Sequence, residues 1–387
     1  MTSPDGGPSL PCHMATGRAH ALHVGHNNTF CAEGGGVQVC CREYAAALKE
    51  AGLELHTVAY EFGASIYRRL VNRLSPRLSD LRVPPGLAER IECGIRDHDA
   101  TIVFFNQNVF PALSRRLKQV FPGVKQVLLS HGAEAIDFCL EQRIRQRRGT
   151  ENRSRDVVER MVGREILDEI EQRRWIDAVL TLSPFEVEFE RLLGARDAIW
   201  LPRTIMDAEL TSRPTDGRVG CVSTLNHPPN LDGLETLFDE LGGRVPAHFR
   251  FRLVGQPRAR GESLAARYPF VEYVGPLPDS DLRAEAATWC CFVHPMFVPA
   301  KGCSTKLGVA LGWGLPIATT ELGVRGYVWD FAIAPVARSP SELASLVLAR
   351  CSSSRFEERR SATRGIVRIT PSIGGIAVDI RRFLGTR

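Results

Sequence analysis

Lys301 and Lys306 flank the short polar turn Gly302-Cys303-Ser304-Thr305, and the apolar run Leu307-Gly308-Val309-Ala310-Leu311 follows at once. Ser304 and Thr305 carry hydroxyls suited to capping, so the turn reads as a helix start. Free N–H groups at a helix start carry partial positive charge, and two ammonium groups beside them make a site for a diphosphate. Such a site can also catalyse. A leaving diphosphate gains charge as its bond to carbon breaks, and fixed cations stabilise that charge.

Three other stretches carry ligand-binding residue types. The loop Gly34-Gly35-Gly36 precedes a helical pattern, and glycines there let backbone N–H groups come close to an anion. Ser130-His131-Gly132-Ala133-Glu134 places a histidine at the end of a predicted strand, where α/β proteins bind ligands. Ser223-Thr224-Leu225-Asn226-His227-Pro228-Pro229-Asn230 is a rigid polar turn, also at a predicted strand end. Each has a purely structural reading beside the functional one: a flexible turn, a satisfied polar histidine, a capped turn, and, for Lys301 and Lys306, two solvated lysines. There is no G-x-G-x-x-G fingerprint and no G-x-x-x-x-G-K-[ST] loop, which argues against dinucleotide oxidoreductases and P-loop enzymes.

The elements that must position these loops alternate between strand and helix almost throughout. Apolar runs at 19–24, 53–60, 100–105, 125–130, 178–182 and 199–202 form one series of strands. A second series is 219–223, 249–254, 271–274, 290–294, 316–319 and 331–334. Val37, Cys40, Cys41, Tyr44 and Leu48 recur at helical spacing. Ser183-Pro184-Phe185-Glu186 reads as a capping box with proline at the first helical position. Strand–helix alternation predicts parallel sheets with helices on both faces. The polar stretch 211–218 is a linker candidate between the two series, and 373–383 is an amphipathic helix. Two stretches break the rhythm. Residues 64–83 interleave five Arg with leucines and read either as a solvated helix or as an interfacial one, interrupted by Pro76. Residues 143–155 carry six Arg and few apolar residues, and read as a mobile loop that could touch an anion or acceptor.

The chain has 387 residues, 24% of them charged, and a net charge of +5, which suits a soluble two-domain enzyme and is too mild for a nucleic-acid binder. The 11 cysteines show no zinc spacing and no CxxC, and read as reduced, small, buried hydrophobes of a cytoplasmic protein. No secretory pattern and no apolar run of membrane-spanning length is present.

Residues 219–330 resemble the donor-binding half of the retaining family-4 glycosyltransferases. The likeness runs, in the family's order and spacing, through the turn at 223–230, Leu253-Val254-Gly255, Val274-Gly275-Pro276-Leu277-Pro278-Asp279, Val293-His294-Pro295, Lys301-Gly302 to Lys306, Gly314-Leu315-Pro316 and Gly323-x-x-Gly326. The first half is similar more weakly, through Gly35-Gly36-Val37, Ser130-His131-Gly132 and the run from Glu165 through Leu182-Ser183 to Leu201-Pro202. The resemblance implies a GT-B fold: two Rossmann-like doubly wound domains with an interdomain cleft. The expected divisions are a disordered 1–18, an acceptor-binding domain at 19–205, a nucleotide-sugar-binding domain at 206–370, and a last helix in 371–387 packing back across the junction.

The resemblance further implies hexosyl transfer with retention, with no metal or cofactor required. The donor would be a UDP-, GDP- or dTDP-sugar. The acceptor would be a hydroxyl of a glycan, a lipid-linked saccharide or a small natural product, with peripheral contact to the inner membrane face compatible with the lipid-linked case. Lys301 and Lys306 would hold the diphosphate and His131 would sit near the transferred sugar. Ser223, Thr224, Asn226, Gly255, His294, Gly302, Ser304, Thr305 and Val309 would line the donor side. Gly35 and Gly36 would approach from the facing domain, and Glu134 and Asp137 would face the acceptor. Three positions depart from the pattern: Val309 stands where a ribose-binding glutamate is usual, Ser223 where glycine is common, and Arg203 where asparagine often follows Leu-Pro. Val309 leaves open an alternative, a GT-B protein that binds a nucleotide or partner without catalysis.

Overall fold

The computed structural model describes residues 18–32, 34–61 and 83–385. One sheet takes β1 (Ala19–His26), β2 (Leu53–Tyr60), β3 (Ile102–Asn106), β4 (Lys125–Leu129), β5 (Ala178–Thr181) and β6 (Ala198–Trp200), in the spatial order β2-β1-β3-β4-β5-β6. The other takes β7 (Arg218–Thr224), β8 (Arg250–Gln256), β9 (Val271–Gly275), β10 (Phe292–His294) and β11 (Ile317–Thr319), in the order β11-β10-β7-β8-β9. All pairings within both sheets are parallel.

In the first half, α1 (Gly36–Glu50) follows β1, and α2 (Leu87–His98) and α3 (Pro111–Val120) lie on either side of β3 in sequence. Helices α4 (Glu134–Arg147) and α5 (Arg155–Arg173) pack together between β4 and β5, and α6 (Pro184–Leu192) follows β5. In the second half, α7 (Pro228–Leu241), α8 (Arg258–Arg267), α9 (Asp279–Ala286) and α10 (Thr305–Gly312) follow β7 to β10 in turn. Helices α11 (Pro340–Arg350), α12 (Phe356–Ile369) and α13 (Ile373–Leu384) come last.

Each sheet is covered on both faces, which is why its strands are nearly continuous apolar runs. Along β3 the pleat sends Phe104 to one core cluster with α1, and Val103 and Phe105 to another with α2 and α3. The second sheet is treated alike, with Leu253 in one cluster and Val254 in the other. Both sheets reverse their winding direction beside a central strand, between β1 and β3 and between β7 and β10. The loops at the carboxyl ends of these strands are where such folds bind ligands.

The expected strand at 331–334 is not formed. Asp330 Oδ1 accepts from the N–H groups of Ala332 and Ile333, at 2.8 and 3.4 Å, and bends the chain into turns. The arginine-rich 143–155 is not a loop as a whole: it contains the end of α4 and the start of α5. Five of its six arginines lie within ion-pair distance of carboxylates, among them Arg153 with Glu151 at 2.8 Å and Arg155 with Glu159 at 2.6 Å. Residues 1–17 and nearly all of 64–83 lie outside the described residues. No described helix is long and apolar enough to cross a membrane.

The segment 201–217 runs along the second sheet's half, with Ala208 N–H donating to Gly312 O and Leu210 N–H to Trp313 O. The final helix α13 returns to the first half. Its Ile376, Ala377, Ile380 and Leu384 share a core cluster with Cys40, Tyr44 and Leu48 of α1. Lys125 Nζ donates to Leu384 O at 2.8 Å and fastens its end. Ile380 is fully buried there, so Ile380→Ala is expected to cost about 2–5 kcal/mol of unfolding free energy, measured by denaturant titration.

Candidate functional site

Facing loops of the two halves enclose a cleft of about 470 Å3. From the first half it is lined by Gly36, Val37, Gln107, His131 and Glu141, and from the second by Thr224, Asn226, His227, His294, Lys301 to Lys306 and Arg325, among others. Three helix N-termini converge here: α1 at Gly36, α7 at Pro228 and α10 at Thr305. The first N–H groups of α1 and α10 and the aligned dipole of α7, whose Pro228 and Pro229 carry no N–H, make the cleft electropositive before any side chain is counted. Ser304 caps α10 as its hydroxyl suggested, accepting from Leu307 N–H at 3.4 Å. A Cβ on Gly36 would stand 3.3 Å from Thr305 Oγ1, so α1 and α10 nearly touch.

The two halves are in direct contact beside the cleft, and two glycines make this possible. Gly132 (φ +104°) and Gly302 (φ +64°) both occupy backbone conformations that favour glycine. A Cβ on Gly132 would lie 2.4 Å from Gly302 N, and one on Gly302 would lie 2.7 Å from His131 O. Around this contact, carboxylates of the first half receive donors of the second. Gly302 N–H donates to Glu186 Oε1 at 2.6 Å, and Lys301 N–H donates to Asp137 Oδ1 at 3.3 Å. Asp137 also lies 3.6 Å from His227 Nε2. Arg147 and Arg148 at the end of α4 both pair with the buried Asp232 of α7.

Glu186 therefore does not complete the capping box expected at 183–186: Ser183 makes no cap, and the glutamate crosses to the other half instead. Burial raises the Glu186 carboxyl to about 7, and its Oε2 has no partner.

His131 is buried at the carboxyl end of β4. The loop around it is braced by Tyr44, whose hydroxyl donates to Ser130 O at 2.9 Å, and by Ser130 Oγ, which donates to Glu190 Oε1 at 3.0 Å. Its Nε2 is hydrogen-bonded to the Asn106 side-chain amide, 2.9 Å from Oδ1, which fixes the ring's orientation. Burial, aided by Lys301, Arg203 and His23, pushes its pKa down to about 3. The ring is neutral, a hydrogen-bonding group rather than a cation.

The two lysines are in different electrostatic states. Lys301 Nζ is held by both oxygens of Glu134, each at 2.6 Å. Glu134 is aimed by Glu169 of α5, which accepts the Glu134 and Ala135 N–H groups at the start of α4, at 2.8 and 3.4 Å. Lys306 has no carboxylate within ion-pair distance among the described residues, and burial lowers its pKa. Arg325 likewise pairs with no described carboxylate. It donates only to carbonyls, Gly302 O and Leu322 O both at 2.7 Å and Lys301 O at 3.4 Å. Beside these two cations sits His294, 5% exposed, neutral with a pKa pushed to about 3 by burial, its Nε2 without a partner.

Of the sequence-predicted residues, the cleft brings together Gly36, His131, Thr224, Asn226, His294, Lys301, Gly302, Ser304, Thr305 and Lys306. Gly35 is one residue removed, as the residue preceding α1. Ser223, Gly255, Val309, Glu134 and Asp137 do not line it. Gly255 serves strand packing, since a Cβ there would fall 1.8 Å from Ser223 O. Val309 lies one turn beyond Lys306 on α10 and is 45% exposed. Glu134 and Asp137 are engaged with Lys301 across the junction. Sequence reading missed Arg325, Glu186 and Gln107. An arginine inside Gly323-x-x-Gly326 was the available signal for the first.

No family model matches the chain, and no curated protein matches its sequence. Its fold does have close counterparts among solved structures. A sucrose-phosphate synthase from Thermosynechococcus elongatus superposes with a TM-score of 0.64 at 15% identity, over 95% of this chain and 98% of that one. A glycosyltransferase from Rickettsia africae ESF-5 gives 0.61 at 14% identity, over 96% and 100%. The lipopolysaccharide outer core galactosyltransferase WaaB gives 0.58 at 10% identity, over 95% and 100%. The chain has the GT-B fold, two Rossmann-like halves around a cleft.

The Glu186 carboxyl should make stability depend on pH. Its folded pKa lies above the ordinary carboxylate value, so its contribution is complete below about 4.5 and is lost as pH rises through about 7. Relative to Glu186→Gln, the wild type is expected to lose stability between pH 5 and 7.5, read from denaturant titrations of both proteins. A difference that does not change with pH would contradict a raised carboxyl.

Proposed function

We propose that the protein is a glycosyltransferase that moves a hexosyl group from a nucleotide diphosphate sugar to a hydroxyl acceptor, with retention at the anomeric carbon. The observation that carries this reading is that neither Lys306 nor Arg325 has an ion-pair partner among the described residues, while both are set among three helix N-termini and beside the partnerless Nε2 of His294. Desolvated cations without counter-ions are costly, and an anion that fills the cleft relieves that cost. The likeness of fold to a glycosyltransferase and a galactosyltransferase supports the same reading.

In this reading the diphosphate lies against the N-terminus of α10, with Lys306 and Arg325 taking the charge that grows on it as the glycosidic bond breaks. These groups supply the role a divalent ion would otherwise fill. Neutral His131 donates or accepts a hydrogen bond at a sugar hydroxyl. The acceptor enters from the side of Gln107 and Glu141. Glu134, Asp137 and Glu186 are already engaged at the junction, and Glu141 lies 3.7 Å from Arg145, so none is placed as a free nucleophile. Transfer then takes place on one face of the sugar, with the leaving phosphate accepting the acceptor's proton. Trapping a glycosyl-enzyme adduct by mass spectrometry would count against that step.

A second reading, nucleotide binding without catalysis, is favoured by the exposed Val309 where a ribose-binding carboxylate is usual. Donor hydrolysis and thermal shift with UDP-, GDP- and dTDP-sugars separate the cases. Binding without turnover selects the second reading, and no shift at millimolar concentration with any donor sinks both.

The difference between the two lysines gives a sharper test. Lys306→Ala is expected to weaken binding of the preferred nucleoside diphosphate about 10- to 100-fold, the size of a charge-assisted hydrogen bond, and to abolish turnover. Lys301→Ala should cost less, because its ammonium must first leave Glu134. Glu134→Gln should tighten binding several-fold. Isothermal titration reads all three, and equal losses for the two lysine variants would contradict the assignment.

A further inference from the structure

Cys303 stands between Lys301 and Lys306, yet its side chain packs into the core of the first half. There it shares a core cluster with Cys40 of α1, and a single guanidinium nitrogen holds the two sulfurs side by side. One nitrogen of Arg203 serves both: Nη1 lies 3.0 Å from Cys303 Sγ and 3.3 Å from Cys40 Sγ. Arg203 is buried and fixed in place by Glu43, with Nε 2.5 Å from Oε2 and Nη2 2.6 Å from Oε1. Its N–H also donates to Gly326 O at 2.7 Å. Arginine keeps its charge at any working pH. A permanent cation thus faces two sulfurs that belong to different halves of the molecule.

This setting differs from that of the other buried cysteines. Burial pushes the Cys41 thiol up to about 11 and the Cys221 thiol up to about 12, and makes them inert. Burial acts on Cys303 in the same direction, but the Cys40 S–H and Arg203 outweigh it and favour the thiolate. Both Cys40 and Cys303 border the cleft, Cys40 buried and Cys303 partly so, which makes the open site the route for a small oxidant.

We propose that Cys40 and Cys303 are a modification site, an oxidisable dithiol that a peroxide converts into a disulfide joining α1 to the turn that carries Lys301 and Lys306. The Cys303 thiolate attacks one peroxide oxygen, forming an S–O bond and breaking the O–O bond. The hydroxide released takes up a proton and leaves as water. Cys40 then attacks the Cys303 sulfur, forming the S–S bond and losing its own proton. The sulfenic oxygen departs with that proton as a second water. The two thiols lose two electrons, and one peroxide becomes two water molecules. The disulfide ties the two halves together beside the cleft, so a nucleotide already bound cannot leave by their separation. This last consequence rests on the diphosphate reading above, whereas the disulfide rests on the sulfur geometry alone.

The test oxidises the full chain with a small excess of hydrogen peroxide, alkylates remaining thiols and maps peptides by mass spectrometry. The expected product is a linked peptide pair containing Cys40 and Cys303, absent after dithiothreitol and absent from Cys40→Ser and Cys303→Ser. In stopped-flow measurements the oxidised protein, loaded beforehand with UDP, GDP or dTDP, should release nucleotide about tenfold more slowly. Recovery of Cys40 and Cys303 as alkylated free thiols, while the exposed Cys31 or Cys93 is oxidised, would overturn the proposal. A linked pair in a protein that binds no nucleoside diphosphate would support the dithiol and overturn the diphosphate reading instead.

Discussion

The backbone contact between Gly132 and Gly302 is the constraint on which the rest of the site depends. Two loops, one from the end of β4 and one from beyond the end of β10, approach so closely that neither position has room for a Cβ. Only because they touch can Glu186 reach the Gly302 N–H, Asp137 the Lys301 N–H, and Glu134 the Lys301 ammonium. A larger residue at either position would push the loops apart and break all three together. The same contact sets the depth of the cleft, because it closes one side of it and leaves Lys306, Arg325 and His294 facing the remaining space.

Charge is distributed unevenly around this contact. At the junction nearly every cation has its carboxylate: Lys301 with Glu134, Arg147 and Arg148 with Asp232, Arg203 with Glu43. Pairs of this kind contribute little net energy when exposed and cost dearly when one partner is lost from a buried site. They specify how the halves sit together more than how strongly. Inside the cleft the rule is suspended for Lys306 and Arg325. Both lie at the cleft without an ion-pair partner among the described residues, which is the feature the proposed diphosphate reading rests on.

Most strands were legible because burial on both faces demands continuous apolar runs, and runs such as Ile102-Val103-Phe104-Phe105 carry no other meaning. The strand expected at 331–334 has the same composition, but a single Asp330 side chain turns the backbone there, and apolar content does not reveal such a bond. The arginine-rich 143–155 misled for the opposite reason: α4 and α5 are held by ion pairs and bury few apolar residues, so no helical stripe is visible. The site loops were legible from strand-end position and residue type. Glu186 was not, since its pattern with Ser183 is indistinguishable in sequence from a local cap. Arg203, noted only as a departure from a family pattern, has a role that depends on Glu43, Cys40 and Cys303, which are distant in sequence.

On the proposed diphosphate reading, the pair formed by Lys301 and Glu134 is a built-in substitute for the ligand's negative charge. Any anion arriving at Lys301 takes part in an exchange, one oxygen pair for another, with the displaced carboxylate returning to water. The gain from that position is then a difference between two similar contacts, and the gain from Lys306 is a full one. On that reading the cleft discriminates along its length. An anion is drawn first to the unpaired end and engages the other only when its geometry improves on what Glu134 offers. A single phosphate and a diphosphate would differ there by reach rather than by charge.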